Sequence, residues 1–379
     1  MRRLGLGPAD FETADDLAKL PLIEREQLQR DPEYFVSRAE PLDSYAEFRT
    51  NGSTGEPIAS FRNAPRRLGV ERMEPTLAGL SGSRWRRREA LVLPPSSWSG
   101  GANTSVVQWL GLHQREILRF FSLFDLPAEI GPRLDEFRPH ILFSFGSYVE
   151  ELYVHLISER RSFHRPNVVI YTADPISAPV RRLIREELGI AVLSIYQAAE
   201  MGRIGWECER QRGHHLNVDL FPIRILNSDR LEVPVGDTGQ VVVSNLINRG
   251  TVLLNYMLGD LASRLPEPCE CGRTLPLLSH VEGRSTDWMR SASGRPIHPQ
   301  SLRGFIRHVK GIRRYQLVQE RPGHVRVVAV PAPDADREQI RSHIVGEAQR
   351  LQTPIDAEVE FSETLPRSEG GKVRTLIRT

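Results

Sequence analysis

Apolar residues follow two rhythms along this chain. Through its middle, short unbroken apolar runs alternate with longer stretches at helical spacing. The runs are Ala90-Leu91-Val92-Leu93, Pro139 to Gly146, Asn167 to Thr172 and Ala191 to Tyr196. Ser147 to Arg161 and Ala178 to Leu188 lie between them and read as helices. Strand and helix alternating at this spacing predict a parallel, doubly wound α/β sheet. Upstream, residues 11–39 read as two short helices broken at Pro21, a packing arm. Ile58 to Arg62 reads as a strand, and Pro65 to Leu80 and Val106 to Phe124 as helices.

From Asp219 the texture changes. Phe221 to Leu226, Leu231 to Val233, Gly239 to Val243 and Thr251 to Tyr256 are short β runs separated by Gly, Pro, Asn and Asp, a β-rich subdomain. Beyond Gly283 to Asp287, a hairpin pattern (Arg314 to Glu320, His324 to Val330), a helix (Asp334 to Leu351) and a strand (Ala357 to Phe361) form a compact α+β unit. The expected domains are therefore a large N-terminal one over 1–286 and a small, mobile C-terminal one over 287–379.

Composition narrows the class. The chain has 379 residues, 40% hydrophobic and 26% charged, with a net charge of +2. That suits a soluble protein with more than one core and no field drawing it to nucleic acid or a membrane. No apolar run is long enough to span a bilayer, and residues 1–10 lack the apolar core of a signal peptide. Three cysteines, an odd number, point to a reducing cytoplasm rather than a disulfide framework. Arg84-Trp85-Arg86-Arg87-Arg88 reads as a solvated face ahead of a strand in preference to a nucleic-acid patch. The lysines are Lys19, Lys310 and Lys372 alone among 50 cationic residues. A site needing a compact ammonium cannot use arginine, so each lysine merits attention.

Chemistry first suggests itself at Thr50-Asn51-Gly52-Ser53-Thr54-Gly55. Glycines and hydroxyls packed this densely can turn sharply and cradle phosphate oxygens. No Lys-Ser/Thr follows the second glycine, so the Walker pattern fails, and the loop alone reads equally as a polar turn. Cys269-x-Cys271, with Cys208 and His214-His215 upstream, could supply a Cys₃His zinc site. On a parallel sheet, ligands bind at the carboxyl ends of strands, which favours the positions after Thr172 and Ile195.

Five pieces stand in order: Thr50 to Pro57, Ile195-Tyr196-Gln197-Ala198-Ala199-Glu200, Tyr256-Met257-Leu258-Gly259-Asp260, Gly283-Arg284-x-x-Asp287, and Gly370-Gly371-Lys372. Together with Leu17-Ala18-Lys19-Leu20-Pro21, Ala173-Asp174-Pro175 and the cysteine pair, this order resembles the adenylate-forming acyl- and aryl-CoA ligases. It is most similar to the phenylacetate–CoA ligase-like branch with its capsule-associated relatives. The resemblance covers essentially the whole chain. It implies ATP- and Mg²⁺-dependent activation of a small carboxylic acid as an acyl-adenylate, with release of pyrophosphate and transfer, by default, to CoA. Thr50, Ser53, Thr54 and Gly55 would hold the β- and γ-phosphates and Glu200 the magnesium. Asp260 would take the ribose hydroxyls, with Arg284 near ribose or phosphate, and Ala173, Asp174 and Tyr196 would flank adenine. Lys372 would bridge the attacking carboxylate and the α-phosphate, and Asp287 would be the hinge of the small domain. The branch favours His215 over His214 as the fourth, structural zinc ligand.

The chain also departs from the pattern. Gln197 and Ala199 stand where Gly and a hydroxyl residue are usual, Glu56 where Lys is frequent, and Met257-Leu258 where Arg-Thr is common. Arg290 to Arg295 is unlike the usual thiol-channel loop. These departures leave open an amine, hydroxyl or carrier-protein acceptor, or a nucleotide-binding protein that has lost transfer. Separately, self-association as a homodimer is left open among the expected partners. Trp98, Trp109, Phe143, Phe145 and Tyr148 hint at an aromatic acid, or are core.

Overall fold

The computed structural model describes residues 4–49, 58–62, 73–82, 87–95, 116–266, 268–281, 283–284, 289–297, 306, 309–351, 354–366, 373 and 376–378. Contacts divide the chain into two units. One comprises Met1–Leu258 with Ala262–His280, the other Gly259–Leu261 with Val281–Thr379.

The first unit is built on an eight-stranded sheet. A short hairpin pair, β1 (Ala46–Arg49) and β2 (Ala59–Arg62), precedes it. The sheet then takes β3 (Arg87–Leu93), β4 (Glu116–Ser122), β5 (Ile141–Phe145), β6 (Val168–Thr172), β7 (Ala191–Ala198), β8 (Gly202–Glu207) and β9 (His214–Leu216). Strands β4, β3, β5, β6 and β7 lie side by side and parallel; β8 and β9 continue the sheet antiparallel. The unbroken runs are explained by burial on both faces. Ala90, Val92, Leu142, Val169 and Val192 point into one core with α3 (Pro127–Phe137), α4 (Gly146–Ser158) and α5 (Ala178–Arg182). Leu91, Leu93, Ile141, Phe143, Val168, Ile170, Leu193 and Ile195 point into the other, with Met73 and Leu77 of the α2 region (α2, Glu74–Ser81). Each fully buried aliphatic side chain contributes roughly 1.5–3 kcal/mol.

The β-rich stretch supplies β10 (Ile223–Leu226), β11 (Thr238–Val243) and β12 (Tyr256–Ser263), and β13 (Leu277–Leu278) pairs with β9. The arm is real but mostly 3₁₀: residues Ala14–Lys19 form such a helix and Arg25–Arg30 form α1. Two readings are corrected. Residues 116–122 are not the end of a helix but the edge strand β4, paired with β3. Arg87 is not on a solvated face: it is 1% exposed within β3, its Nε 2.5 Å from Glu89 Oε1.

In the second unit, β14 (Gly283–Arg284) pairs antiparallel with Asp260–Leu261, and β15 (Met289–Arg290) with β16 (Pro296–Ile297). The unit's main sheet has the order β19-β18-β17-β20, from β17 (Ile312–Arg321), β18 (His324–Pro331), β19 (Asp356–Phe361) and β20 (Leu376–Arg378). The helix α6 (Arg337–Gln349) covers one face through Ile340, Ile344 and Ala348. On the other, Val373 packs with Val318, Val328, Val330 and Leu365.

Candidate active site

Ala173, Asp174, Tyr196 and Glu200 lie at or just beyond the carboxyl ends of β6 and β7. Tyr171 is in register with Ser194, and Thr172 Oγ1 donates to the Ile195 carbonyl at 3.1 Å, so the ends of β6 and β7 are adjacent. Directly after β6, Ala173 adopts φ +71°, a left-handed conformation costly for a residue with a Cβ. Two contacts hold it there. Asp174 Oδ1 accepts from Ser147 N at 2.9 Å at the start of α4, and a Cβ on Gly146 would overlap the Asp174 carbonyl oxygen. Strain kept at a strand end is a common mark of a functional turn. Tyr196 is buried, its ring centroid 5.9 Å from that of His214.

Glu200 sits in the tight β7–β8 turn, closed by Met201 N donating to the Ala198 carbonyl at 3.1 Å. Its carboxylate is 3% exposed and is met from two sides. Arg25 Nη1 and the Tyr256 hydroxyl each donate to Oε1 at 3.1 Å. Burial pushes the Arg62 guanidinium down to about 10, against the pull of the Glu200 charge. Burial likewise raises the Tyr256 hydroxyl, and the Glu200 charge adds to it.

The arm delivers Arg25. Ile23 N donates to the Asn255 carbonyl and Met257 N to the Ile23 carbonyl, both at 2.9 Å. Asn255, at φ +58°, holds the Leu17 and Leu20 carbonyls through Nδ2 at 2.8 Å each. The same neighbourhood anchors β2: Phe61 N donates to Thr251 Oγ1 at 2.7 Å, and Asn248 Nδ2 to the Phe61 carbonyl at 3.0 Å. The arm and the base of the β1–β2 pair are thus tied to one segment, 248–257. Thr50, Ser53, Thr54, Gly55 and Glu56, which join β1 to β2, lie outside the described residues, as do Asp287 and Lys372. Asp260 is in Cα register with Arg284. Phe143 and Tyr148 are buried in the core, 5% and 1% exposed, and Phe145 is partly buried against it; Trp98 and Trp109 lie outside the described residues.

Sequence reasoning missed Arg25, Arg62 and Tyr256 at this carboxylate. Arg25 sits in a polar helical stretch without any local cue. Arg62 ends a strand read only as scaffold. Tyr256 lay inside a quoted motif without a role.

The second expected site is assembled. One donor atom each from Cys208, His215, Cys269 and Cys271 lie within 4.8 Å of one another. Cys208 Sγ is 3.6 Å from Cys269 Sγ, and Cys271 Sγ is 3.3 Å from His215 Nε2. Tetrahedral zinc with its usual bond lengths separates two sulfurs by about 3.8 Å and sulfur from nitrogen by about 3.6 Å, so the donor set and its spacing fit that ion. His214 is not in this set; its Nε2 meets Ser194 Oγ at 2.7 Å. Beside it, buried Glu207 accepts from Arg181 Nη2 and Ser194 N at 2.7 Å each and contacts His280 Nε2 at 2.5 Å. Burial pushes the Cys208 thiol up to about 12.

Residues 289–379 match the CapK C-terminal domain family. The phenylacetate-coenzyme A ligase of Escherichia coli (strain K12) is 25% identical over 350 residues, 86% of this chain and 75% of that protein. The Pseudomonas putida enzyme of the same name is 23% identical over 398 aligned positions, 97% of this chain and 85% of that one. These matches all indicate the adenylate-forming acyl-CoA ligase superfamily. The fold is shared with solved ligases. A 2-hydroxyisobutyryl-CoA ligase in the postadenylation state superposes with a TM-score of 0.79 at 18% identity, over 100% of this chain and 84% of that one. ATP-bound MatB from Rhodopseudomonas palustris gives 0.63 at 19% identity, over 88% and 67%.

Proposed function

We propose that this ligase-superfamily member activates a carboxylic acid with ATP and passes the acyl group to an acceptor, by default the thiol of CoA. A carboxylate oxygen attacks the α-phosphorus, the bond to the β-phosphate oxygen breaks, and pyrophosphate leaves. The acceptor then attacks the acyl carbon and AMP departs with the carboxylate oxygen. The first step sets anion against anion. It therefore needs donors on the leaving pyrophosphate and a cation on the shared oxygens. Thr50, Ser53, Thr54 and Gly55 are assigned to the β- and γ-phosphates and Lys372 to the shared oxygens. Asp260 is assigned to ribose, with Arg284 beside it in register. Ala173, Asp174 and Tyr196 are assigned to adenine, and Asp287 to the hinge.

The observation that carries this reading is Glu200 at the carboxyl edge of the parallel sheet, in the turn after β7, with the strained Ala173–Asp174 turn on the neighbouring strand. Magnesium, when bound with ATP, would neutralise phosphate charge there. Glu200 offers the hard oxygen donor that ion requires. Its Oε1 is held by Arg25 and Tyr256, however, so the residues fit the ion at that oxygen with Arg25 displaced. Cys208, His215, Cys269 and Cys271 are assigned to a structural zinc with every position filled by protein. Carboxylate-dependent ATP–pyrophosphate exchange tests the activation step, and thioester formation tests CoA.

A second reading, a nucleotide-binding protein without transfer, draws on the same Arg25–Glu200 pair and on Gln197 and Ala199 in place of the usual residues. It predicts ATP binding with no exchange for any acid.

A further inference from the structure

Glu200 is nearly inaccessible, and the cation against it comes from a part of the chain 175 residues away. Arg25 is itself largely buried, with a side chain 13% exposed. Its Nε is buried and has no hydrogen-bond partner among the described residues. The guanidinium is therefore incompletely satisfied where it stands, while its Nη1 is committed to Glu200 Oε1. It can leave that carboxylate without breaking a fully bonded network. The backbone carrying it is firmly attached, through Ile23 to Asn255 and Met257 and through the buried Leu28. Release would thus be a local loosening of α1, not a detachment of the arm. The Arg62 guanidinium is also close enough to Glu200 to feel its charge. A divalent cation approaching Glu200 alone meets guanidinium charge already in place, and like charges in a poorly solvated site repel strongly.

We propose that Arg25 is an internal counter-cation of Glu200, which must be displaced before a divalent metal can use that carboxylate, so that the N-terminal arm gates metal loading. The proposal rests on Glu200 being the metal-binding carboxylate of the activation step. In the metal-free protein the pair keeps a buried carboxylate from standing uncompensated. When ATP arrives with its metal, the phosphates offer the released guanidinium a new anionic partner. Metal without nucleotide offers it none. Free metal should accordingly bind weakly, and metal and nucleotide should load together.

The test uses the full chain and Mn²⁺ without nucleotide, with free Mn²⁺ followed by its electron paramagnetic resonance signal. Arg25→Gln should bind Mn²⁺ at least about tenfold more tightly than the parent, about 1.4 kcal/mol. The double variant Arg25→Gln/Glu200→Gln should lose that gain. Unchanged or weaker binding by Arg25→Gln overturns the proposal, as does a gain that survives in the double variant. Should Arg25→Gln fail to fold, hydrogen exchange of the parent with saturating Mn²⁺ decides. Faster exchange over residues 21–30 supports displacement, and unchanged exchange contradicts it. Pyrophosphate exchange stands apart from these readouts. Its absence for every acid would overturn the activation reading while leaving the Mn²⁺ result intact.

Discussion

Cys271 Sγ lies 3.3 Å from His215 Nε2 across 56 residues of sequence, and Cys208 and Cys269 complete the same cluster from two further positions. Such a closed set of soft donors suits structural zinc, which contributes folding free energy directly. Native mass spectrometry should find one zinc per chain. Cys269→Ser or prolonged chelation should remove it and lower the melting temperature by several degrees. A metal-free protein that melts as the untreated one does would refute the assignment.

Glu200 should matter more than the groups that hold it. Glu200→Gln keeps the shape and the bond from Tyr256 but removes the charge. Pyrophosphate exchange should fall on the order of a hundredfold, with a raised metal requirement. Tyr256→Phe removes one neutral donor and should cost less than about tenfold. Equal losses in the two variants would mean that the packing of the turn matters, not the carboxylate.

Lys372 and Asp260 should separate chemistry from binding. Lys372→Ala should abolish adenylate formation while ATP affinity, measured by calorimetry, stays within about threefold. Asp260→Ala should weaken ATP binding by about tenfold or more, since it removes a carboxylate assigned to two hydroxyls. Parallel loss of binding and chemistry in Lys372→Ala would contradict its role.

The turn after β6 offers a paired test of strain. Ala173 at φ +71° gains from losing its Cβ, so Ala173→Gly should leave stability unchanged or raise it by about 1 kcal/mol. Gly146→Ala forces a Cβ onto the Asp174 carbonyl oxygen. It should destabilise the fold by roughly 1–3 kcal/mol and weaken ATP binding through the displaced turn. Denaturant unfolding and nucleotide titration measure both. A silent Gly146→Ala would show that the close approach is not needed.

Much of the fold could be read from local sequence, because burial on both faces leaves a local trace. Val168 to Tyr171 is apolar without interruption since α4 and α5 cover one side and the α2 region the other. Strand β4 escaped because it lies at the sheet edge, where Ile117 is 46% exposed and the apolar spacing loosens toward a helical rhythm. Arg87 escaped because its burial depends on Glu89 and on neighbouring strands, not on the surrounding run of arginines. The members of the Cys/His cluster were visible as residue types. Tertiary placement separates the two histidines: His215 stands with the cysteines, while His214 Nε2 meets Ser194 Oγ. Arg25 could not have been found locally, because its partner is fixed by tertiary contacts of the arm with Asn255 and Met257.

In the proposed reaction a carboxylate is joined to the α-phosphate of ATP. The most direct measurement is carboxylate-dependent ATP–pyrophosphate exchange over a panel of aliphatic and aromatic acids, with and without CoA. Exchange is expected for at least one class of acid and should be lost in Lys372→Ala. Tight ATP binding with no exchange for any acid would contradict the proposal.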